Sequence, residues 1–245
     1  MHHFFVEPSA MTDGQVTITG QDVRHITRSL RLDSGDKISV ADGAGKKYIV
    51  ELTELTEQFV KGKVQQDFVA DVEPATKVTL VQGLPKSKKM DLIAQKTTEL
   101  GIEQIIPVET ERSIVKLKPS KAKRRQKRWQ KIAKEAAKQS GRAKIPEVKE
   151  LTDFEEMLSL AVEYDLALIP WEEEEASLKE VIVGNNKVEQ VMIVIGPEGG
   201  FSKQEVERAK EAGIKSVSLG SRILRTETAG LATLSMLLYQ TGDLG

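Results

Sequence analysis

The chain has 245 residues, of which 39% are hydrophobic and 30% charged, with a formal net charge of −1; these values predict an ordinary globular protein of one large or two smaller domains. No stretch approaches the ~20 apolar residues of a membrane span, and the initial MHHFFVEPSA lacks the basic start and apolar core of a secretory signal, so a cytoplasmic location is expected. The absence of cysteine excludes disulfides, thiolate nucleophiles and cysteine-ligated metals. The three histidines fit no metal-binding helix pattern, so no metal is expected, although carboxylates are the type of ligand that holds magnesium.

The first 72 residues are predicted to be rich in β-strands. Short alternating runs are separated by turn signals such as Asp13-Gly14 and Asp42-Gly43, a pattern typical of five or six strands in a small barrel. One helical turn is predicted near Gln21 to Leu30. Pro74 marks a linker into a second domain. The clearest predicted strands are QVTITG, DKISVADG, KKYIVELTEL and KGKVQQDFV.

From Lys77 onward, strands and helices are predicted to alternate. KVTLVQGL predicts a buried strand, KKMDLIAQKTTELG a helix that ends at Gly101, and IEQIIPVE the next strand. Trp129 and four further apolar residues recur at helical spacing, which predicts an amphipathic helix from Gln126 to Gln139. The opposite face of that helix carries Lys127, Arg128, Lys131, Lys134 and Lys138.

The remainder of the chain continues this alternation. YDLALIP and QVMIVIG are continuous apolar runs, as strands covered by helices on both faces tend to be, and a helix is predicted between them at Ala176 to Val183. Ser202 and Glu205 predict a capping box for a helix that Gly213 ends. SVSLG predicts a short strand, and Thr226 to Gln240 a final helix. This order indicates an α/β fold with an open, largely parallel sheet.

Positive charge is concentrated in one segment. Residues 116–144 contain thirteen Lys or Arg and one acid, Glu135, so their local charge is +12 and the rest of the chain carries −13. Segregation of this size indicates a basic face directed at a polyanion. A solvated lysine-rich helix is the simpler alternative.

A glycine-rich turn, Ile195-Gly196-Pro197-Glu198-Gly199-Gly200, follows the strand QVMIVIG and precedes the capped helix. Ligands of open α/β sheets bind at such strand ends, and glycines let backbone amides approach them closely. The turn is neither a P-loop nor a G-x-G-x-x-G fingerprint, which makes nucleotide phosphates poor candidates. A tight turn that binds nothing is the alternative.

A second strand-end turn runs from Leu219 to Gly230. Arg222 and Arg225 flank two apolar residues, and Glu227 opens the final helix, where the helix dipole favours a carboxylate. Glu227 taken alone is explained by helix capping. Two arginines in a loop beside an apolar helix favour a binding role.

These two turns resemble those of a known family. IGPEGGFSKQEVE followed by LGSRILRTETAGLATLSMLLYQ is similar to the carboxyl-terminal signature of the ribosomal RNA small subunit methyltransferase E family, which comprises uridine-N3 methyltransferases. The likeness continues through GLPKSKKMDLIAQKTTELGIEQIIPVETERSIVK, RWQKIAKEAAKQSGRAKIPEV and HITRSLRLDSGDKISVADGAG, so it covers nearly the whole chain. The extreme amino terminus departs from the pattern, because relatives often have arginine near the position of His3.

The resemblance implies a fold and an activity. Residues 1–72 would form a PUA-like β-barrel that helps to hold RNA, and residues 73–245 a SPOUT-type α/β domain with a carboxyl-terminal trefoil knot, which no pattern predicts because chains almost never knot. The implied reaction is S-adenosylmethionine-dependent methylation of N3 of a uridine in 16S rRNA. The implied partners are small-subunit rRNA or the 30S subunit and a second copy of the chain in a homodimer.

The resemblance also implies where the cofactor and the catalytic groups lie. Methylation of N3 requires that nitrogen to lose its proton, and a cation near the uracil carbonyl oxygens would favour the deprotonated base. Arg225 is the candidate cation, with Glu227 or Glu198 as the proton acceptor. The implied cofactor-binding residues are Leu168, Ile169, Pro170, Gly196, Pro197, Glu198, Gly199, Gly200, Leu219, Gly220, Ser221, Ile223, Leu224, Thr226 and Thr228.

Basic residues in both domains are candidates for RNA binding. Arg24, Arg28 and Arg31 recur at helical spacing, which suits contacts with successive phosphates. Contacts between cations and phosphates make binding steeply dependent on the salt concentration. The candidates are Arg24, Arg28 and Arg31 in the first domain and Lys86, Lys88, Arg112, Arg128, Arg142 and Arg222 in the second.

Three alternatives remain at this stage. A non-enzymatic RNA-binding or ribosome-assembly factor would account for the barrel and the basic segment, but not for the two strand-end loops. A dinucleotide-dependent metabolic enzyme would need the fingerprint that is absent. A tRNA or ribose 2′-OH methyltransferase of the same knotted class is the nearest competitor.

Overall fold

The computed structural model describes residues 1–69, 72–183 and 188–245, and the chain divides into two compact units. The first unit contains Met1–Glu73 and Ala137–Ile145, and the second contains Pro74–Ala136 and Pro146–Gly245. The sequence predicted a single boundary after residue 72. The structure differs because residues 137–145 pack with the first unit.

The first unit contains a six-stranded sheet in the order β1-β4-β5-β6-β3-β2, in which β1 and β4 are parallel and the other neighbours antiparallel. Alternate side chains point inward, so that Phe4, Ile38 and Val60 are fully buried in one core. The predicted helical turn is present as α1, Gln21–Arg24, followed by a π-helical turn, His25–Leu30. The strands are β1 His3–Phe5, β2 Met11–Thr12, β3 Gln15–Thr19, β4 Lys37–Ala41, β5 Lys46–Leu55 and β6 Phe59–Val69.

Residues 137–145 are fixed to the first unit by a buried ion pair. The Arg142 guanidinium donates through Nε and Nη2 to Glu73 Oε2, at 3.1 and 2.6 Å. Glu73 Oε1 accepts from the backbone amides of Ala143 and Lys144, at 2.8 and 3.0 Å. Only 4% of the Arg142 side chain is exposed. Removal of one partner of such a pair typically costs about 3–5 kcal/mol.

His3 adds a neutral contact to the same segment. Its ring lies 2.9 Å from the Arg142 carbonyl oxygen through Nε2 and 3.0 Å from Ser39 Oγ through Nδ1. Burial, together with the positive charges of Lys47 and Lys138, lowers the pKa of His3 to about 4. The imidazole is therefore neutral near pH 7, which lets one nitrogen donate and the other accept.

The second unit alternates strands and helices as the sequence predicts. The helix predicted from Gln126 is longer and begins at Pro119, and no helix in the described ranges is both long and apolar enough to cross a membrane. The strands are β7 Lys77–Gly83, β8 Gln104–Glu109, β9 Glu147–Val148, β10 Thr152–Asp153, β11 Leu166–Pro170, β12 Gln190–Ile195 and β13 Lys215–Val217. The helices are α2 Lys89–Glu99, α3 Pro119–Ser140, α4 Phe154–Leu160, α5 Leu178–Val183, α6 Lys203–Glu211 and α7 Thr226–Thr241.

The strands β7 to β13 form one parallel sheet in the order β10-β8-β7-β12-β11-β13, with β9 beside β8. The continuous apolar strands bury both of their faces, as predicted. On one face Leu80 and Ile193 lie in a core with residues of α2 and α7. On the other, Val81 and Val194 lie in a core with residues of α4 and α6.

The strand order reverses between β7 and β12, because β7 leads to β8 on one side while β12 lies on the other. Ligands of open α/β sheets bind outside the carboxyl ends of the strands at such a reversal. The backbones approach closely there, since a Cβ atom on Gly83 would lie 2.6 Å from the nitrogen of Pro197. The topology therefore directs attention to the turn that follows β12.

Candidate functional site

A cavity of about 430 Å³ lies at this edge of the sheet in the second unit. One wall is the turn Gly196–Phe201, here called the proline loop, and another is the end of the segment Ser218–Arg225, here called the arginine loop. The two predicted turns thus share one cavity, whose volume falls in the range of small-molecule sites. The lining residues are Lys89, Pro170, Glu172, Ile195, Gly196, Pro197, Glu198, Gly199, Gly200, Phe201, Ile223, Leu224, Arg225, Thr226 and Ala229.

The proline loop is fastened by hydrogen bonds from several directions. Arg112 Nη1 donates to the carbonyl oxygen of Gly199 at 3.0 Å, and the Gly200 amide donates to the Pro197 carbonyl at 2.9 Å. Gly200 has a φ of 66°, which favours glycine. Thr226 Oγ1 donates to the Gly196 carbonyl at 2.6 Å. The turn is therefore held in shape by the protein itself.

A buried glutamine joins this loop to two neighbouring elements. Gln82, at the end of β7, is fully buried, and its Nε2 donates to the Gly83 carbonyl at 3.0 Å and to Thr226 Oγ1 at 2.9 Å. Its Oε1 is buried without a hydrogen-bond partner in the described chain, a situation that costs roughly 1–3 kcal/mol. Since Thr226 in turn donates to Gly196, Gln82 links β7, α7 and the proline loop.

The helix after the proline loop is capped as predicted. Ser202 and Glu205 form the capping box, and Phe201 and Val206 are both buried in one core. Glu111, which follows β8, extends this cap: its Oε2 accepts from Ser202 Oγ at 2.7 Å, and its amide donates to Glu205 Oε1 at 2.8 Å. The far end of the proline loop is thereby fixed as well.

Lys89 and two glutamates form the charged part of the cavity wall. Lys89 Nζ lies 3.1 Å from Glu198 Oε1 and 3.0 Å from Glu227 Oε2. The close contact with Glu227, and then that with Glu198, raises the pKa of Lys89 above its usual value against the opposing effect of burial. The group is thus an ammonium shared by two carboxylates.

Both glutamates are held in their ionised form. Partial burial opposes ionisation of Glu198, but the backbone amides of Glu198 and Lys86, followed by Lys89, keep its pKa below the usual value. Burial likewise opposes ionisation of Glu227, and its own amide, Lys89 and the charge of Arg225 outweigh that effect and lower its pKa. Both carboxylates carry negative charge at neutral pH.

The arginine loop is much less enclosed. Ile223 is 87% exposed although it borders the cavity, and Arg222 and Arg225 are exposed. A smaller groove of about 160 Å³ continues from the cavity along this loop. The residues that line the groove are Pro170, Trp171, Glu172, Leu219, Gly220, Ser221, Arg222, Ile223, Leu224 and Ala229.

Most of the candidate cofactor residues therefore border the cavity or its groove, and three differ. Leu168 and Ile169 are fully buried in the cores, so that their side chains are unavailable and only their backbone could face a ligand. Thr228 is exposed and lines neither space. Of the candidate catalytic residues, Arg225 and Glu198 line the cavity, and Glu227 reaches it through Lys89.

A second cavity, of about 520 Å³, is bordered by the beginnings of α2 and α3. Two RNA candidates, Lys88 and Arg128, line it, and Arg128 is paired with Asp91 at 2.7 Å. Arg124 and Arg125 line it too; both lie in the basic segment but were not singled out from the sequence. Four cations and one carboxylate make this concave surface strongly positive.

The other RNA candidates lie in varied surroundings. Arg24, Arg28 and Arg31 are exposed in the first unit, where the π-helical turn breaks the regular α-helical spacing assumed for them. Lys86, Arg112 and Arg222 are exposed in the second unit, and Arg112 holds the proline loop.

Arg142 is the exception among the RNA candidates. The sequence placed it in a basic stretch expected to face RNA, whereas the structure buries its side chain against Glu73. Charge counted along the sequence does not show which cations have internal partners. Arg142 is accordingly left out of the RNA surface proposed below.

Lys89 is the principal cavity residue that the sequence analysis missed. It follows the predicted strand KVTLVQG, and the other cavity candidates were likewise chosen from segments that follow predicted strands. Glu172, which follows β11, is a second. No group of three or more His, Asp or Glu residues that could hold a metal ion occurs within residues 1–69, 72–183 and 188–245.

Comparisons with known proteins bear on both units. Residues 72–238 match the RNA methyltransferase domain, and residues 18–65 match the RNA methyltransferase PUA domain. The sequence is 37% identical to the ribosomal RNA small subunit methyltransferase E of Bacillus subtilis, over 98% of this chain and 97% of the relative.

Solved structures resemble the whole chain as well. The ribosomal RNA small subunit methyltransferase E of Neisseria gonorrhoeae, bound to S-adenosylmethionine, has a TM-score of 0.89 and 33% identity over 98% of both chains. A methyltransferase of Legionella pneumophila in complex with the same cofactor has a TM-score of 0.87 and 27% identity over 97% of both chains.

Proposed function

Because the chain belongs to the ribosomal RNA small subunit methyltransferase E family of RNA methyltransferases, we propose that it transfers a methyl group from S-adenosylmethionine to N3 of a uridine in small-subunit rRNA. The observation that carries this proposal is the cavity shared by the proline loop and the arginine loop at the reversal of the parallel sheet. The family match confirms the resemblance that was inferred from the two turns of the sequence.

The residues present fit S-adenosylmethionine. A cavity of about 430 Å³ suits a nucleoside-sized ligand. A Cβ atom on Gly196 would lie 3.1 Å from the backbone of Gly200, so glycine keeps the proline loop narrow enough for a ligand to meet backbone groups. The exposed Ile223 and half-buried Leu224 offer apolar surface to an adenine ring. When bound, the cofactor supplies a methyl group already activated by its sulfonium.

The chain's own residues provide positioning and charge. Arg225, exposed at the cavity rim, is the cation that stabilises the uracil anion through a carbonyl oxygen. The N3 proton passes to Glu227 or Glu198. Both carboxylates have a lowered pKa, so they are ionised and have room for a proton at neutral pH. The cation and the carboxylates therefore act together.

RNA binding is assigned to basic surfaces of both units. We place the phosphates on the exposed arginines of the first unit and on the positive cavity of the second. Residues 1–72, with which residues 137–145 pack, are proposed as the PUA-like RNA-binding domain. The remainder of residues 73–245 is proposed as the SPOUT methyltransferase domain with its trefoil knot. The homodimer, the absence of a metal requirement and the cytoplasmic location stay predictions.

The decisive experiment is methyl transfer with isotopically labelled S-adenosylmethionine. The purified protein should label small-subunit rRNA or 30S subunits, and mass spectrometry of the nucleosides should find N3-methyluridine. A label on a ribose or on another base would contradict the proposed position. Cofactor binding by calorimetry without any transfer would favour the non-enzymatic factor.

A further inference from the structure

Lys89 occupies a position that helix formation alone does not explain. It is the first residue of α2, where the positive end of the helix dipole disfavours a cation. The cation is tolerated because Glu198 and Glu227 lie within 3.1 Å of its ammonium. The two glutamates, and not the helix itself, therefore explain why a lysine is stable at this position.

The two contacts join elements that are distant in sequence. Glu198 belongs to the proline loop and Glu227 to the first turn of α7, and Lys89 stands between them after β7. Its side chain is 30% exposed and borders the cavity. One ammonium thus connects two walls of the cavity.

The two glutamates depend on Lys89 to different degrees. Glu198 also accepts the Lys86 amide at 3.0 Å, so it keeps an anchor on another residue without Lys89. Glu227 Oε2 is buried without a hydrogen-bond partner in the part of the chain that the structure describes; the Lys89 ammonium, 3.0 Å away, meets it as an ion pair, and Arg225 acts on Glu227 through charge alone. Removal of Lys89 would chiefly release Glu227.

The charges around this trio come from several elements. Arg225 precedes α7, Lys86 precedes α2, Arg112 follows β8 and lies against Gly199, and Glu172 borders the cavity near Gly200. Lys89 is the cation placed between the two carboxylates. Without it they would repel each other, and one of them would take up a proton at a higher pH.

We propose that Lys89 is a positioning residue of the methyl-transfer site, which acts through Glu227 and Glu198 by holding both carboxylates at the cavity and joining the proline loop to α7. The proposal deepens the function proposed above and rests on it. The proton balance is that of the reaction already described: N3 gives its proton to a carboxylate, and the methyl group moves from the sulfonium to N3.

Lys89→Met, Lys89→Arg and Lys96→Met test this proposal. Lys96 is a matched control, because it lies on the same helix but does not line the cavity. Its Nζ forms an ion pair with Glu99 Oε2 at 2.8 Å. Lys89→Met should lower kcat about 10- to 100-fold and move the acid limb of the kcat profile upward by about one pH unit. Lys89→Arg should recover most of both effects, and Lys96→Met should change neither.

A Lys89→Met enzyme with the wild-type acid limb would overturn the proposal. If wild type itself transfers no methyl group to uridine, the proposed function fails instead, so the two failures are distinguishable. A second measurement keeps Lys89 in place: NMR of lysine labelled at Cε follows its titration, which should move to lower pH in Glu227→Gln. An unmoved titration would also contradict the proposal.

Discussion

The proline loop and the arginine loop border one cavity but differ in how they are held. The proline loop is fixed by Arg112, by Thr226 and by its contact with the end of β7. In the arginine loop, Ile223 is 87% exposed, and the Gly220 amide donates to Ser218 Oγ at 3.2 Å within the loop itself. The arginine loop is bound to its surroundings at Ser218, whose amide donates to the Ala176 carbonyl at 2.8 Å, and it is exposed from Gly220 to Ile223.

This difference indicates a division of labour in ligand binding. A preformed wall costs little ordering when the cofactor arrives, while an exposed apolar wall gains burial only at that moment. Changes that disturb the proline loop should therefore affect both stability and binding. Changes in the arginine loop should affect binding or turnover and leave the free protein stable.

Arg225→Ala gives the largest expected effect on activity. If Arg225 is the cation that stabilises the uracil anion, as proposed, its loss should lower kcat about 10²- to 10³-fold, as removal of one oxyanion donor typically does. The melting temperature should change little, because Arg225 is exposed. The affinity for S-adenosylmethionine should change little, because Arg225 is assigned to the uridine and not to the cofactor. Near-normal turnover would remove Arg225 from the catalytic assignment.

Gly83→Ala tests the fastening of the proline loop. The added methyl group would meet the nitrogen and Cδ of Pro197, both at 2.6 Å, and neither atom can rotate away. We expect a loss of about 1–3 kcal/mol in the free energy of unfolding, together with a cofactor affinity weakened about tenfold or more. Denaturant unfolding and calorimetry measure the two effects.

Gly230→Ala is the control for that substitution. A Cβ atom on Gly230, inside α7, would lie 3.7 Å from Ile195 and Leu80, an ordinary contact distance. Alanine should be tolerated there and should even stabilise the helix by up to about 1 kcal/mol. Equal damage from the two substitutions would mean that the sheet edge, and not the loop contact, is sensitive.

Ile223→Ala, unlike Gly83→Ala, should weaken cofactor binding without a loss of stability. Because the side chain is exposed in the free protein, the free energy of unfolding should change by less than about 0.5 kcal/mol. Cofactor affinity should fall about tenfold if the residue packs on the adenine. A clear loss of stability without ligand would show that the arginine loop is already packed.

The smallest expected effect is a pH dependence carried by Glu198. Its pKa is lower in the folded protein than in the unfolded chain, so it stabilises the fold above the unfolded pKa, and this contribution is lost as the pH falls through the folded pKa. Glu198→Gln should flatten the loss of stability between about pH 5 and pH 3. Glu207→Gln, at an exposed position of α6, is the matched control substitution.

The two loops were predictable because their signals are local. A buried strand, glycines and a capping box follow one another around Gly196–Glu205, and apolar periodicity defines the final helix from Thr226. The short strands β9 and β10 contain two residues each and were missed, since such a run carries no periodicity. Helix α4 was missed although Asp153 caps it by accepting from the Glu156 amide at 2.9 Å.

Contacts between distant segments could not be predicted. The role of Lys89 depends on β7 and β12 being neighbours, and their order in the sheet differs from their order in the sequence. The burial of Arg142 depends on Glu73, which lies far earlier in the chain. In both cases the residue type and its sequence neighbours are compatible with an exposed cation.

The long helix α3 runs from Pro119 to Ser140, and its last residues, with those that follow to Ile145, complete the first unit. During synthesis, the first unit is therefore incomplete until residues 137–145 have been translated, which happens only after β7, α2 and β8. Until Ala137 and Ile145 are synthesised, Phe5 and Ala41 lack two of the residues that pack on them, and Glu73 lacks its arginine. A nascent chain released before residue 145 would expose this apolar surface to chaperones and proteases.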